Sequence, residues 1–252
     1  MARKTKPEQA STVFFTRGMI AVIIVIVIIV AALLAMGMIQ QSRKAPQQAT
    51  IAPVKSARPT VDLYVMSFCP YGTQAETAMG PVVDLLKSKA DIRIRYLTTI
   101  SGTTVDSVTS LHGPAEAKED LRQICINKYY PEQYWSYVNA FNQQFYPSWR
   151  NSTVLDSCQK NTTAALSIDS AKIDTCAEGS EGITLLKADE AAANKDGASA
   201  SPTLFINGVE YSGARTPDAY KQAICNSFDT APAECNTVLA SASASASGGC
   251  GG

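Results

Sequence analysis

The cysteines of this chain, seven in all, and its single histidine are where reactive chemistry could sit. Cys69 stands apart by position. It closes a short β run, Val61-Asp-Leu-Tyr-Val-Met, and is followed by Pro70, which suits a first helical turn because no amide hydrogen bond is lost there. A cysteine at a helix start faces unpaired amides that favour an anion. Its thiolate is therefore stabilised and can attack a disulfide. Tyr71, Gly72 and Thr73 complete the turn beside it. A second candidate segment, Ser201-Pro202-Thr203, stands directly before a later β run. The odd cysteine count leaves at least one thiol free or paired outside the chain.

The elements that must position these residues can be read from periodicity. After Cys69, Ala75, Ala78, Met79, Val82, Val83 and Leu86 form an apolar stripe at helical spacing over Tyr71 to Ser88, with Pro81 expected to kink it. Asp91-Ile-Arg-Ile-Arg-Tyr-Leu alternates as a second strand, and strand–helix–strand in this order implies a parallel βαβ unit. A helical stretch follows from Gly113 to about Asn194, in pieces near 114–129, 131–145, 151–160, 169–177 and 181–194, with an aromatic cluster that includes Tyr134, Tyr137 and Phe141 as packing. Thr203-Leu-Phe-Ile, the turn pair Asn207-Gly208 and Val209-Glu-Tyr read as a hairpin, and residues 216–228 as a last helix. The sum is an α/β chain, β-α-β, helical insertion, β-β-α.

That order resembles a thioredoxin-like fold with a helical insertion. More narrowly, residues 60–236 resemble the gamma-interferon-inducible lysosomal thiol reductase (GILT) family, related in plan to DsbA. The family's CxxC motif falls on Cys69-Pro70-Tyr71-Gly72. Its signature CQHGxxECxxNxxxxC falls on residues 110–125, where His112, Gly113, Glu116 and Cys125 are kept, while Ser110, Ala117 and Asp120 replace two cysteines and the asparagine. Cys158, the run from Cys176 to Gly182, Asn207-Gly208, Cys225 and Cys235 resemble the family as well. The resemblance implies a thiol–disulfide oxidoreductase or isomerase. It also implies a cis-proline at Pro202, flanked by Ser201 and Thr203, that faces Cys69 and positions an extended substrate.

Gly72 departs from the pattern where the second, resolving cysteine belongs. A dithiol reductase attacks with its first thiolate and releases the mixed disulfide with its second. Three readings stand: monothiol exchange or isomerisation at Cys69 with an external thiol or a distant cysteine resolving, thiol capture without turnover, or a redox-inactive binding module. Cys250 is a candidate distant resolving thiol, because 15 residues separate it from Cys235 and a coil of that length typically spans ~20 Å. An intermolecular bridge, or no role, are the competing readings for Cys250. Cys225 and Cys235 are read as a structural disulfide pinning the C-terminus. Cys125, Cys158 and Cys176 allow at most one pair among themselves, and the sequence does not choose it. His112 is either a base for a thiol or a turn residue at the start of a helix. With no CxxC pair and only one histidine, zinc is not expected, and no metal or organic cofactor is implied.

The net charge of zero hides an asymmetry. Residues 1–58 carry eight lysines and arginines against Glu8 alone, a charge of +7; the remainder carries 14 bases and 21 acids, −7. An acidic main domain argues against nucleic acid as a partner. From Gly18 to Ile39 no residue is charged, and 22 residues at ~1.5 Å each match a hydrocarbon core of ~30 Å. The expected organisation is a cytoplasmic leader (1–17), one transmembrane helix (18–39), a flexible Gln/Ala/Pro-rich linker (40–59), the thioredoxin-like domain (60–236, insert about 113–195) and a disordered Ser/Ala/Gly tail (237–252). Cleavage near Ala35-Met36-Gly37 is the alternative to an uncleaved anchor. A cysteine-rich domain suits an oxidising compartment. The expected placement is therefore N-terminus inside and domain extracytoplasmic, at a cell surface, in a periplasm-like space or in a secretory lumen. Asn151-Ser-Thr and Asn161-Thr-Thr are sequons compatible with that side. Expected partners are protein or peptide thiols and disulfides, with an external thiol reductant.

Overall fold

The computed structural model describes residues 25–30, 53–145 and 150–241. Residues 25–30 form a helical turn of exposed apolar side chains. The rest of the expected 18–39 span lies outside the described residues, among which no helix is long and apolar enough to cross a membrane.

The folded domain is built on a four-stranded sheet. Strand β1 (Thr60–Val65) pairs in parallel with β2 (Asp91–Tyr96), Val61 opposite Ile92 and Leu63 opposite Ile94. Between them runs helix α1 (Pro70–Leu86), which forms the expected βαβ unit and continues unbroken through Pro81. On its other side β1 pairs antiparallel with β5 (Thr203–Ile206), and β5 with β6 (Val209–Glu210), giving the order β2-β1-β5-β6. The β5–β6 turn uses Asn207 and Gly208 at φ 48° and 76°. Two successive positive φ values define the tight hairpin turn that matches strand twist, and asparagine and glycine tolerate them best. Helix α7 (Pro217–Asn226) closes the sheet half by packing on α1.

A two-stranded ribbon, β3 (Thr99–Ile100) with β4 (Val108–Thr109), follows β2; its two-residue strands are too short to leave an alternation in the sequence. The insert then supplies α2 (Pro114–Tyr129), α3 (Pro131–Ala140), a π turn (Phe141–Phe145), α4 (Ser152–Ala165), α5 (Ser170–Ala177) and α6 (Ser180–Asp196). Tyr134, Tyr137 and Phe141 are buried in it, as their spacing suggests. Arg95 on β2 joins insert to sheet: it bonds Asp62 of β1 at 2.9 Å and Asp189 of α6 at 2.8 Å. The Cys125–Cys176 disulfide ties α2 to α5 across 51 residues, and Cys225–Cys235 ties the end of α7 to the 3-10 turn Ala233–Asn236.

Two expected boundaries shift. The linker was expected to remain flexible to residue 59, yet its last residues are held. Ser56 bridges to Phe228, and the Asn207 side chain donates to the Val54 carbonyl at 2.7 Å while accepting the Thr60 amide at 2.9 Å. The tail likewise was expected to loosen at 237. Instead Lys221 bonds the Thr237 carbonyl, and the Leu239 amide reaches Asp218 at 3.3 Å. In both places single side chains satisfy backbone groups of the stretch, a form of order that hydrophobic periodicity does not report.

Candidate functional site around Cys69

Cys69 is the N-cap of α1, with Pro70 at the first helical position, as the sequence requires. The loop before it folds back so that the Cys69 amide donates to the Met66 carbonyl at 3.0 Å, and the Cys69 carbonyl accepts the Thr73 amide at 2.9 Å. The side chain is 9% exposed and is the free cysteine among the described residues. Its neighbour Tyr71 is 60% exposed.

From the sheet side comes the segment before β5. The Ser201–Pro202 peptide bond is cis, and the Ser201 carbonyl stands 3.4 Å from Cys69 Sγ. The Ser201 hydroxyl accepts the Met66 amide at 2.9 Å, and Thr203 Oγ1 donates to the Ala200 carbonyl at 2.6 Å. The two segments that the sequence singles out are thus brought together.

From the insert side come two acids that sequence reasoning missed as parts of the site. Glu116, fully buried on α2, accepts the Phe68 amide at 2.7 Å, the Ser110 hydroxyl at 2.6 Å and the His112 amide at 2.9 Å, and its carboxylate meets His112 Nδ1 at 2.8 Å. Asp120, one turn further, accepts the Ser67 hydroxyl at 2.6 Å and its amide at 3.3 Å. These carboxylates fix the backbone of residues 67 and 68, hence the entry of the chain into Cys69. The His112-Gly-x-x-Glu116 spacing places the histidine ring over the carboxylate at i, i+4, and its described bonds go to Glu116 rather than to the thiol. Burial, with Glu116 beside it, holds the Asp120 carboxyl well above the usual carboxylate range, and its Oδ2 has no hydrogen-bond partner among the described residues. Burial pushes Glu119 up as well and Glu76 up to about 8, the latter against the opposing Asn142 hydrogen bond. A helical signal could have found this layer. Glu116, Asp120 and Gln123 share one face of α2 at i, i+4 and i+7, but on a surface helix that polar stripe would point outward.

A cavity of about 460 Å³ opens beside the thiol loop, lined among others by Met66, Thr98, Ser110, Leu111 and Ser199. Leu111 is exposed on its rim. The remaining cysteines lie apart from Cys69: Cys125–Cys176 and Cys225–Cys235 are paired, and buried Cys158 is disulfide-bonded too. Cys250 lies outside the described residues. Among the described residues no group of His, Cys, Asp and Glu is arranged to hold a metal.

Sheet order, cis peptide bond and a cysteine at the start of α1 define a thioredoxin-like protein of DsbA-like plan. Solved structures agree on the fold. The thiol-disulfide oxidoreductase MdbA of Actinomyces oris superposes with a TM-score of 0.52 at 16% identity, over 69% of this chain and 84% of its own. DsbA of Mycobacterium tuberculosis does so at 0.50 and 16%, over 73% and 91%. Within that class, residues 95–225 match the family model of the vacuolar sorting receptor thioredoxin-like domain, and the chain belongs to that family. Vacuolar-sorting receptor 5 of Arabidopsis thaliana is 30% identical over 131 residues, 46% of this chain and 21% of the receptor. The chain therefore spans about a fifth of that curated relative. The matched stretch contains Ser201-Pro202-Thr203 and the Glu116–Asp120 layer and begins beyond Cys69.

Proposed function

We propose that this protein is a membrane-anchored, extracytoplasmic monothiol of the thiol–disulfide exchange class, working through Cys69 on protein or peptide disulfides. The observation that carries the reading is a free thiol at the start of α1, 3.4 Å from the carbonyl of a cis-Pro segment, with no second cysteine in the adjoining turn. In the first step the Cys69 thiolate attacks a substrate disulfide: the Cys69–substrate bond forms, the old sulfur–sulfur bond breaks, and one substrate thiolate leaves. In the second step an external thiolate attacks the substrate sulfur, forming a new disulfide and returning the Cys69 thiolate. One disulfide is consumed and one made, so no net oxidant is needed. Glu116 and Asp120 act here as positioning residues, through the amides they bind. The likeness to the GILT signature supports the same role for the His112–Glu116 pair. Residues 18–39 would hold the domain to a membrane, with 40–52 as the tether.

The test is exchange between a glutathionylated peptide and excess reduced glutathione. Wild type should accelerate it and Cys69→Ser should not; equal rates for the two proteins would overturn the reading. A second reading, a binding or thiol-capture module, is favoured by the family match to sorting receptors and by Gly72. It requires stoichiometric adduct formation, or binding alone, without turnover.

A further inference from the structure

Gly72 occupies the position of a resolving cysteine, and its surroundings explain why the position is glycine. A Cβ at residue 72 would stand 2.7 Å from Ser201 Oγ, 3.1 Å from the Met66 carbonyl and 3.4 Å from Cys69 Cβ. The last distance matters most. Paired cysteines carry their Cβ atoms about 3.5–4.5 Å apart, so the backbone at 72 already lies within a few tenths of an ångström of disulfide geometry with Cys69. The Met66 contact is tight but asks for only a small shift. The Ser201 hydroxyl is the true obstruction. It is not a loose side-chain end, because it accepts the Met66 amide at 2.9 Å and would leave that donor unpaired by turning away.

We propose that the Ser201 hydroxyl makes this a one-thiol site: it occupies the space a side chain at 72 would need, and so assigns release of the mixed disulfide to a thiol from outside the Cys69 turn. Gly72 and the Ser201 hydroxyl are thus sterically coupled across two chain segments separated by more than a hundred residues. The partner this demands is a low-molecular-weight or protein thiol that approaches the substrate side of the bond. This inference rests on the monothiol reading for its function, but its steric part stands independently of any activity.

The experiment compares Gly72→Cys, Gly72→Cys/Ser201→Ala, Gly72→Ala and Gly72→Ala/Ser201→Ala in the full chain. After oxidation with glutathione disulfide, non-reducing mass-spectrometric mapping reads the bond between residues 69 and 72. The Gly72→Cys/Ser201→Ala variant should close that bond, with the introduced thiolate attacking the Cys69 sulfur of the mixed disulfide and expelling glutathione thiolate, and should release substrate without added thiol. Gly72→Cys alone should close it at least tenfold less. Gly72→Ala should lower Tm by about 3–8 °C with Ser201 present and by at most about 1 °C in the Ser201→Ala background. If an alanine or cysteine at 72 prevents folding only when Ser201 is present, the proposal stands. If 69–72 closure and Tm are the same in both backgrounds, or both backgrounds fail to fold, Ser201 is not the obstruction and the proposal falls. Correct steric coupling together with an inactive wild type would instead overturn the exchange reading alone.

Discussion

The insert and the sheet half of this domain treat the same element, sulfur, in opposite ways. In the insert Cys125 and Cys176 are buried and joined in a disulfide that ties α2 to α5, and buried Cys158 is disulfide-bonded too. In the sheet half Cys69 is kept unpaired at a helix start, against a backbone carbonyl. Residue type does not separate the two roles. What separates them is whether a second sulfur stands within bonding distance, and at Cys69 the place for one is taken by Ser201. The insert still contributes to the thiol site, not with sulfur but with the carboxylates of Glu116 and Asp120 on the loop amides.

The largest effect that would sharpen this contrast is on activity. Cys69→Ser should abolish exchange while leaving Tm within about 1 °C, because Cys69 cross-links nothing. A fall of many degrees would give Cys69 the structural role assigned to the insert cysteines. Next in size, Cys125→Ala/Cys176→Ala removes a 51-residue cross-link, worth about 4 kcal/mol in the chain-entropy model. Scanning calorimetry should show Tm lowered by about 8–16 °C. The shorter Cys225–Cys235 loop should cost less, about 2–3 kcal/mol, measured the same way.

Glu116→Gln tests the bridge between the halves. Weakening charge-assisted bonds to the Phe68 amide and Ser110 should cost about 1.5–3 kcal/mol in denaturant unfolding and slow exchange at Cys69. Unchanged exchange at that loss of stability would make Glu116 a purely structural residue. The smallest effect is in pH dependence. Burial raises the Glu76 carboxyl from 4.5 to about 8, so the folded state keeps a proton that the unfolded chain releases first. Its contribution is fully present below about pH 4.5 and is lost as pH rises through about 8. Glu76→Gln should flatten that alkaline loss in thermal melts across the interval. Part of the loss should persist, since Glu119 and Asp120 shift in the same direction.

Much of the frame was legible from residues alone. The alternation of β2, the stripe of α1 and the Asn207-Gly208 turn are local signals, and the structure places those elements where their periods end. The meeting of Cys69 with Ser201-Pro202 was implied by the resemblance to thioredoxin-like proteins, and the structure brings the two segments together. Three features were hidden for physical reasons. The acids of α2 carry the mark of a solvent face yet point inward, because their partners are loop amides from another segment. The ordered ends of linker and tail are held by Asn207, Asp218 and Lys221, single side chains without periodicity. The opposition of Gly72 and Ser201 is a distance between two loops, which neither loop's sequence contains.

The most direct test of the account is to mix wild-type protein with excess glutathionylated peptide in the absence of free thiol and follow the adduct by intact mass. The account predicts one mixed disulfide per chain, mapped to Cys69, with one thiol released as each forms; once desalting has removed that thiol, the adduct persists and decays only on adding reduced glutathione, at a rate proportional to its concentration. An adduct that decays unaided, or none at Cys69, would contradict it.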